Sequence, residues 1–217
     1  MNFIPIDIQN WERKEHYQYY INLVKAKYTV TVDIDVTKLV AATKVRHLKF
    51  FPAFLYAIIY NINQNKEFRM GYNEEGELGY WDICHPSYTI FHDDDKTFSD
   101  IWSEYHSSFT IFYHNVIHDI EQFKDIKGIK TKVREGQNYC PISCIPWTSF
   151  TNISYDTFTE NKMLLPIISF GKYHNHHNKI ILPFSIFVNH AVADGYHTSK
   201  LIQDIQYYVN NLDWITH

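Results

Sequence analysis

Apolar positions recur at regular intervals along the first third of the chain. In residues 11–24, aromatic and aliphatic side chains lie on one face at helical spacing, which predicts an amphipathic helix. In residues 28–36, Tyr, Val and Ile alternate with Thr and Asp, the pattern of a half-buried strand. Residues 50–62 are almost continuously apolar and predict a buried helix, with Pro52 tolerated in its first turn.

The rest of the chain mixes short strands with two longer helices. Apolar residues step by three and four over 99–124, which predicts the longest helix, with Ser99 as its N-cap. A similar pattern predicts a C-terminal helix at 196–212. Because strands and helices do not alternate strictly, we predict one α+β domain spanning 1–217. It would be a two-layer sandwich of a mixed β-sheet with helices mainly on one side. Further strands are predicted near 77–83, 87–91, 140–145, 164–171 and 179–189.

Composition narrows the classes of function. The 217 residues are 45% hydrophobic and 17% aromatic, which indicates a packed globular protein. A net charge of −4 without a run of Lys or Arg argues against a nucleic-acid partner, and no stretch approaches the ~18 apolar residues of a membrane span. Three cysteines and the lack of a secretory signal at the N-terminus favour a cytoplasmic protein with reduced thiols.

Four clusters of potential metal ligands give weak signals. A solvated turn, helix face or loop explains each one more simply than a metal does, and we predict no metal site. The clusters are His174 with His176 and His177, His114 with His118, the CPISC stretch at 140–144, and the DDDK stretch at 93–96.

The stretch NHAVADGYH at 189–197 directly follows an apolar strand. His190 lies where that strand ends, and partial burial there can tune the pKa of an imidazole toward neutrality. Such a group suits general-base catalysis. Gly195 would permit a tight bend into the next helix. On these residues alone, a polar turn and a catalytic site are equally supported.

This stretch resembles HHAVCDGFH, the signature of the trimeric, type A chloramphenicol acetyltransferases. Its core, HxxxDG, is similar to that of dihydrolipoyl transacylases and peptide-synthetase condensation domains. The resemblance covers residues 3 to 210 and implies acetyl-CoA-dependent O-acetylation of the 3-hydroxyl of chloramphenicol, hence antibiotic resistance, by a homotrimer with its active sites between subunits. The other blocks that resemble the family are WERKEHYQYY, KFFPAFLYAI, KTFSDIWSEYHSSF, ISCIPWTSF and LLPIISFGKY.

The resemblance also implies catalytic roles. His190 would be the general base, and its tautomer would be set by its own backbone carbonyl. Ser143 would donate a hydrogen bond to the tetrahedral oxyanion, and Ser169 would hold a water on the same intermediate. Asp194 would pair with Arg13 and order the site instead of forming a triad with the histidine.

The resemblance assigns binding residues for both substrates, and it implies acetyl-CoA as co-substrate with no metal. Lysines near a phosphate and aromatic rings near adenine and pantetheine are physically reasonable. The positions matching the coenzyme A tunnel are Trp147, Tyr173, Lys49 and Lys172. The positions matching the acceptor pocket, or close to it, are Tyr20, Tyr19, Ala26, Phe98 and Tyr155.

The chain departs from the family pattern most strongly in 150–160. Ile153, Ser154 and Tyr155 replace the usual Phe, Asn and Leu, and the leucine contacts chloramphenicol in the family. Two alternatives therefore remain: an O-acetyltransferase of another hydroxyl compound, and a non-catalytic binding protein that kept the fold. Thiol release from acetyl-CoA with different alcohols separates them.

Overall fold

A computed structural model describes residues 2–156 and 163–216 as strands and helices that form two layers. The ten strands of the described chain are β1 (Phe3–Pro5), β2 (Lys27–Asp35), β3 (Met70–Tyr72), β4 (Leu78–Trp81), β5 (His85–His92), β6 (Thr97–Trp102), β7 (Tyr139–Ile145), β8 (Ile167–Gly171), β9 (His174–His176) and β10 (Lys179–Asn189). The α-helices are α1 (Lys14–Gln18), α2 (Thr37–Val45), α3 (Phe50–Gln64), α4 (Phe109–Phe123) and α5 (Gly195–Asn210). A π-helix, Tyr19–Val24, continues α1.

The main sheet has seven strands in the order β2–β10–β8–β7–β5–β6, and β9 also pairs with β10. β7 runs parallel to both of its neighbours, whereas the other ladders are antiparallel. β1, β4 and β3 form a separate small sheet. The predicted mixed sheet is therefore confirmed.

The core lies between the main sheet and the helices. α3 is buried along most of its length, because its apolar residues surround the whole helix axis. Phe54 of α3 packs against Phe170 of β8 and Phe184 of β10, with ring centroids 5.0 and 6.5 Å apart. The helices thus cover the face of the sheet that carries Phe170 and Phe184, and the predicted α+β class is confirmed.

The predicted helix over 99–124 is wrong in its first third. Residues 97–102 form β6, and the helix begins only at Phe109. Ser99 is no N-cap, because it lies fully buried in the strand, where His92 and the carbonyl of Ile126 bind its hydroxyl. None of the described helices is long and apolar enough to cross a membrane.

Candidate active site

His190 lies at the end of β10 between two aromatic rings. Its backbone N–H donates to the carbonyl of Ala26 at 3.1 Å, which ties the strand end to the segment before β2. Tyr20 stacks on the imidazole with centroids 3.9 Å apart and planes 10° apart. Tyr28 contacts it edge-on at 5.1 Å. The π-helix and β2 together therefore hold the ring in one plane.

The two ring nitrogens of His190 have different surroundings. Nδ1 is buried and has no hydrogen-bond partner in the described part of the chain. The expected bond from Nδ1 to the residue's own carbonyl is therefore wrong for this structure; stacking on Tyr20 sets the ring orientation instead. Because Nδ1 is buried, Nε2 is the nitrogen that can meet a substrate.

Asp194 forms the expected ion pair with Arg13, with 2.9 Å between the guanidinium nitrogen and Oδ2. Its other oxygen caps α5, accepting from the N–H of Tyr196 and contacting Nδ1 of His197. Burial raises the pKa of the Asp194 carboxyl, but hydrogen bonds from Arg13 and His197 outweigh this and lower it to about 2. Arg13 and His197 thereby hold the carboxylate that caps α5, so all three groups order the start of the helix.

Gly195 does not make the tight bend expected from the sequence. Its φ lies outside the left-handed region, and a Cβ at this position would meet nothing within 4 Å. The turn before α5 is held instead by Asn189, whose side chain accepts from the N–H of Ala191 and donates to the carbonyl of Met163.

A row of hydroxyl groups crosses four strands on the face opposite the helices. Ser143 of β7 pairs with Ser169 of β8, Ser169 with Ser185 of β10, and Ser185 with Thr31 of β2. Successive strand residues point to opposite faces, and Phe170 and Phe184 face the helices. Ser143 is half-buried, and its hydroxyl has no partner among the described residues, whereas Ser169 is fully buried.

Residues 149–155 lie across this hydroxyl row. Thr31 donates to the side chain of Asn152 at 3.2 Å, and Ser185 donates to the carbonyl of Ile153 at 3.1 Å. The phenol oxygen of Tyr155 is 2.6 Å from Oγ of Ser169. The segment that departs most from the family pattern is thus bound to the sheet through side chains.

Four residues predicted to bind coenzyme A converge at the ends of β7 and β8. The N–H of Lys172 donates to the carbonyl of Thr148, which places Lys172 and Tyr173 beside Trp147. Lys49 precedes α3, whose first residue, Phe50, contacts the ring of Tyr173 at 5.2 Å. The two lysines are exposed, and Trp147 and Tyr173 are 63% and 39% exposed.

The expected acceptor positions are divided between two places. Tyr19 and Tyr20 contact each other beside His190, and Ala26 binds its backbone. Phe98 pairs with Phe91, which contacts Trp147, in β5 and β6 at the opposite edge of the sheet.

His190 and Ser143 cannot meet within one chain. His190 follows Ser185 by five residues, which is roughly 17 Å along an extended strand. Ser143 lies two strands farther away. His190 and Ser143 therefore belong to two separate groups of residues.

Two supporting residues were not predicted from the sequence. Tyr28 contacts His190, and the Tyr28 hydroxyl is hydrogen-bonded to the hydroxyl of Thr198 in α5 at 2.6 Å. The alternating pattern of residues 28–36 predicted the strand β2. The contact of Tyr28 with His190 depends on the pairing of β2 with β10, which the sequence pattern does not contain.

The histidine cluster at 174–177 lies in and after the exposed strand β9. Within residues 2–156 and 163–216, no group of three or more His, Cys, Asp or Glu side chains is arranged to hold a metal ion. His174 instead contacts Ser149 at 3.0 Å.

The chain is similar to known proteins over nearly its whole length. The family profile described as "Chloramphenicol acetyltransferase" matches residues 1–206. A chloramphenicol acetyltransferase of Clostridium butyricum is 43% identical over 95% of this chain and 94% of its own length. One of Clostridium perfringens is 40% identical over 99% of both chains. A solved chloramphenicol acetyltransferase structure, 20% identical, matches the fold with a TM-score of 0.84 and covers 96% of this chain and 100% of its own. The chain therefore belongs to the chloramphenicol acetyltransferase family.

Proposed function

We propose that this protein transfers the acetyl group of acetyl-CoA to the 3-hydroxyl of chloramphenicol and so inactivates the antibiotic. The observation that carries the proposal is His190, whose ring is fixed between Tyr20 and Tyr28 with Nε2 left to meet a substrate. Relatives 38–43% identical carry the name of this activity. We further propose that residues 1–217 act as one domain, in the cytoplasm, where the thiols of Cys84, Cys140 and Cys144 stay reduced.

General-base catalysis accounts for the chemistry. Nε2 of His190 takes the proton of the acceptor hydroxyl while that oxygen forms a bond to the acetyl carbonyl carbon. The carbonyl π electrons move onto oxygen, and Ser143 donates a hydrogen bond to the resulting oxyanion. As the oxyanion collapses, the C–S bond breaks, and His190 returns its proton to the sulfur. Ser169 is fully buried, so it can act on the intermediate only through another group.

The residues at the ends of β7 and β8 fit coenzyme A. Lys49 and Lys172 supply exposed positive charges for phosphate groups. Trp147 and Tyr173 leave large aromatic surfaces uncovered, which suit adenine and the pantetheine arm. Coenzyme A bound here would deliver its thioester toward Ser143, because Trp147 follows Ser143 by four residues.

We propose that the working form is a homotrimer with an active site at each subunit interface. His190 and Ser143 are too far apart in one chain to act on the same carbonyl group. A second copy must therefore bring its Ser143 face against the His190 face of the first. Leu23 and Val24 of the π-helix are 75% and 47% exposed near His190 and offer apolar surface for such a contact.

The first experiment measures chloramphenicol-dependent thiol release from acetyl-CoA. We expect release by the wild type and a loss of at least about 1,000-fold in His190→Ala, because both the base and its proton return are removed. His118→Ala, which removes an exposed histidine of α4, should retain wild-type activity. If the wild type releases no thiol with chloramphenicol, the acceptor assignment is wrong; if His190→Ala stays active, the mechanism is wrong.

A second acceptor is favoured by one observation. Tyr155 adds a ring and a hydroxyl where the family has leucine, and its ring contacts Phe187 at 6.0 Å. The altered shape would suit a different hydroxyl compound. The same thiol assay with a panel of alcohols identifies that acceptor if chloramphenicol fails.

A further inference from the structure

Tyr155 and Ser169 form a close pair of hydroxyls within the proposed active site. Their oxygens are 2.6 Å apart, and either atom could be the donor. Ser169 is 0% exposed, whereas Tyr155 is half-buried on a segment that covers the sheet. The direction of this hydrogen bond decides which proton faces the substrate.

The hydroxyl protons of Ser169 and Tyr155 can both be accounted for when Ser169 is the donor of this hydrogen bond. Tyr155 is the hydrogen-bond partner of the Ser169 hydroxyl in the described chain. If the phenol donated to Ser169, the serine proton would be left buried without an acceptor, which is costly. If Ser169 donates instead, its proton is satisfied and the phenol proton of Tyr155 stays free on the accessible side.

We infer that Tyr155 is a catalytic residue that donates its phenol proton as a hydrogen bond to the acetyl oxyanion, with Ser169 as its positioning residue. This inference rests on the proposed function. It replaces the water expected on Ser169 by a side chain of the protein. A phenol is a stronger acid than water and is therefore a better hydrogen-bond donor to a developing negative charge.

Ser143 would supply a second hydrogen-bond donor next to Tyr155. Ser143 and Ser169 are register partners on adjacent strands, whose Cα atoms lie roughly 5 Å apart with side chains on the same face. The phenol oxygen, in contact with Ser169, is therefore close enough to Ser143 for one acyl oxygen to accept from both donors. The oxyanion would then have two donors.

The test compares three variants by kcat and KM. We expect Tyr155→Phe to lower kcat by about tenfold to 100-fold, as for the loss of one oxyanion donor, with both KM values within about twofold of wild type. Ser169→Ala should lower kcat only about fivefold, because it removes one neutral hydrogen bond. The double variant should match Tyr155→Phe alone, because Ser169 acts through Tyr155.

Other outcomes would overturn the inference. If Ser169→Ala costs more than Tyr155→Phe, or if the two losses multiply, Ser169 acts on its own. Fluorinated tyrosines at 155 provide a readout that a structural role would not move, since kcat should change with the acidity of the phenol. Tyr207→Phe makes the same chemical change at a ring that is 70% exposed and should leave kcat unchanged.

A second reaction distinguishes a failure of the proposed function from a failure of the inference about Tyr155. A wild type that does not acetylate chloramphenicol refutes that acceptor, and the variants are then compared by the hydrolysis of acetyl-CoA without acceptor. That reaction passes through the same oxyanion. An equal hydrolysis rate in wild type and Tyr155→Phe overturns the inference about Tyr155.

Discussion

Asp194 lies four residues after His190, but its carboxylate contacts Arg13, His197 and the first turn of α5 instead of that histidine. One carboxylate thereby joins the segment before α1 to the start of α5. The π-helix that continues α1 carries Tyr20, which stacks on His190, and α5 carries Thr198, which contacts His190 through Tyr28. The charge of Asp194 thus supports the geometry around His190, the proposed base.

Replacing Asp194 by Asn keeps a helix-capping side chain but removes the charge. We expect the free energy of unfolding at pH 7 to fall by about 1 kcal/mol after allowance for solvent screening. The pKa of Asp194 is lowered from 3.8 to about 2. Its contribution is therefore complete above about pH 5 and is lost as the pH falls toward 2. Urea unfolding between pH 7 and pH 3, at one protein concentration, checks this.

The control for this prediction is Asp204→Asn. Asp204 pairs with Lys200 on the surface of α5 at i, i+4, so its loss should cost no more than about 0.5 kcal/mol. A stability difference between Asp194→Asn and wild type that stays constant from pH 7 to pH 3 would contradict the role of the charge.

At the scale of elements, the sequence identified most strands and helices but not every boundary. β2 and α5 were predictable because their apolar residues keep one period from end to end, and α3 and β10 because they are almost continuous apolar runs. β6 was mistaken for a helix because Trp102 and Tyr105 continue the spacing of α4 by chance, while the alternate burial of Ser99 and Ile101 depends on pairing with β5.

In the candidate active site, too, the sequence predicted some residues and missed contacts between distant ones. The position of His190 follows from the apolar strand before it, and the Arg13–Asp194 pair was implied by the family resemblance. The contact between Tyr155 and Ser169 was not predictable in this way, because it depends on how residues 149–155 cross the sheet. Non-local contacts of this kind require the strand order, which local periodicity does not contain.

The crossing of residues 148–150 over β8 depends on Gly171. A Cβ at Gly171 would lie 2.8 Å from the carbonyl oxygen of Thr148 and 2.9 Å from Cγ of Pro183. We expect Gly171→Ala to destabilise the protein by about 1–3 kcal/mol. It should also raise the KM for acetyl-CoA, because Thr148 holds Lys172 beside Trp147. Thermal unfolding and steady-state kinetics measure the two effects.

The same substitution at Gly195 serves as the matched control. Gly195 is the first residue of α5, and a Cβ there meets nothing within 4 Å. Alanine should therefore stabilise the protein by about 0.5–1 kcal/mol, mainly by restricting the unfolded chain. If Gly195→Ala destabilises the protein as much as Gly171→Ala does, the close contacts of a Cβ at residue 171 do not explain the loss of stability.

At the scale of the whole molecule, the proposed trimer requires two half-sites on each chain. One half-site holds His190 with Tyr20 and Tyr28, and the other holds Ser143 with Tyr155. The antiparallel pairing of β2 with β10 and the parallel pairing of β7 with β8 keep them apart. Assembly is therefore expected to create the active site as well as to stabilise the fold.

Mixing two inactive variants tests this arrangement directly. His190→Ala chains retain Ser143, and Ser143→Ala chains retain His190, so a mixed trimer contains one interface where both intact residues meet. Random reassembly of equal amounts should recover about one quarter of the wild-type activity, because about three quarters of the trimers are mixed and each has one intact site of three. Activity is measured after joint unfolding and refolding. His190→Ala mixed with the Ser143→Ala/His190→Ala double variant should recover nothing, since no chain then supplies the base. If the first mixture shows only the summed activities of its separate variants, the two half-sites do not work together across subunits.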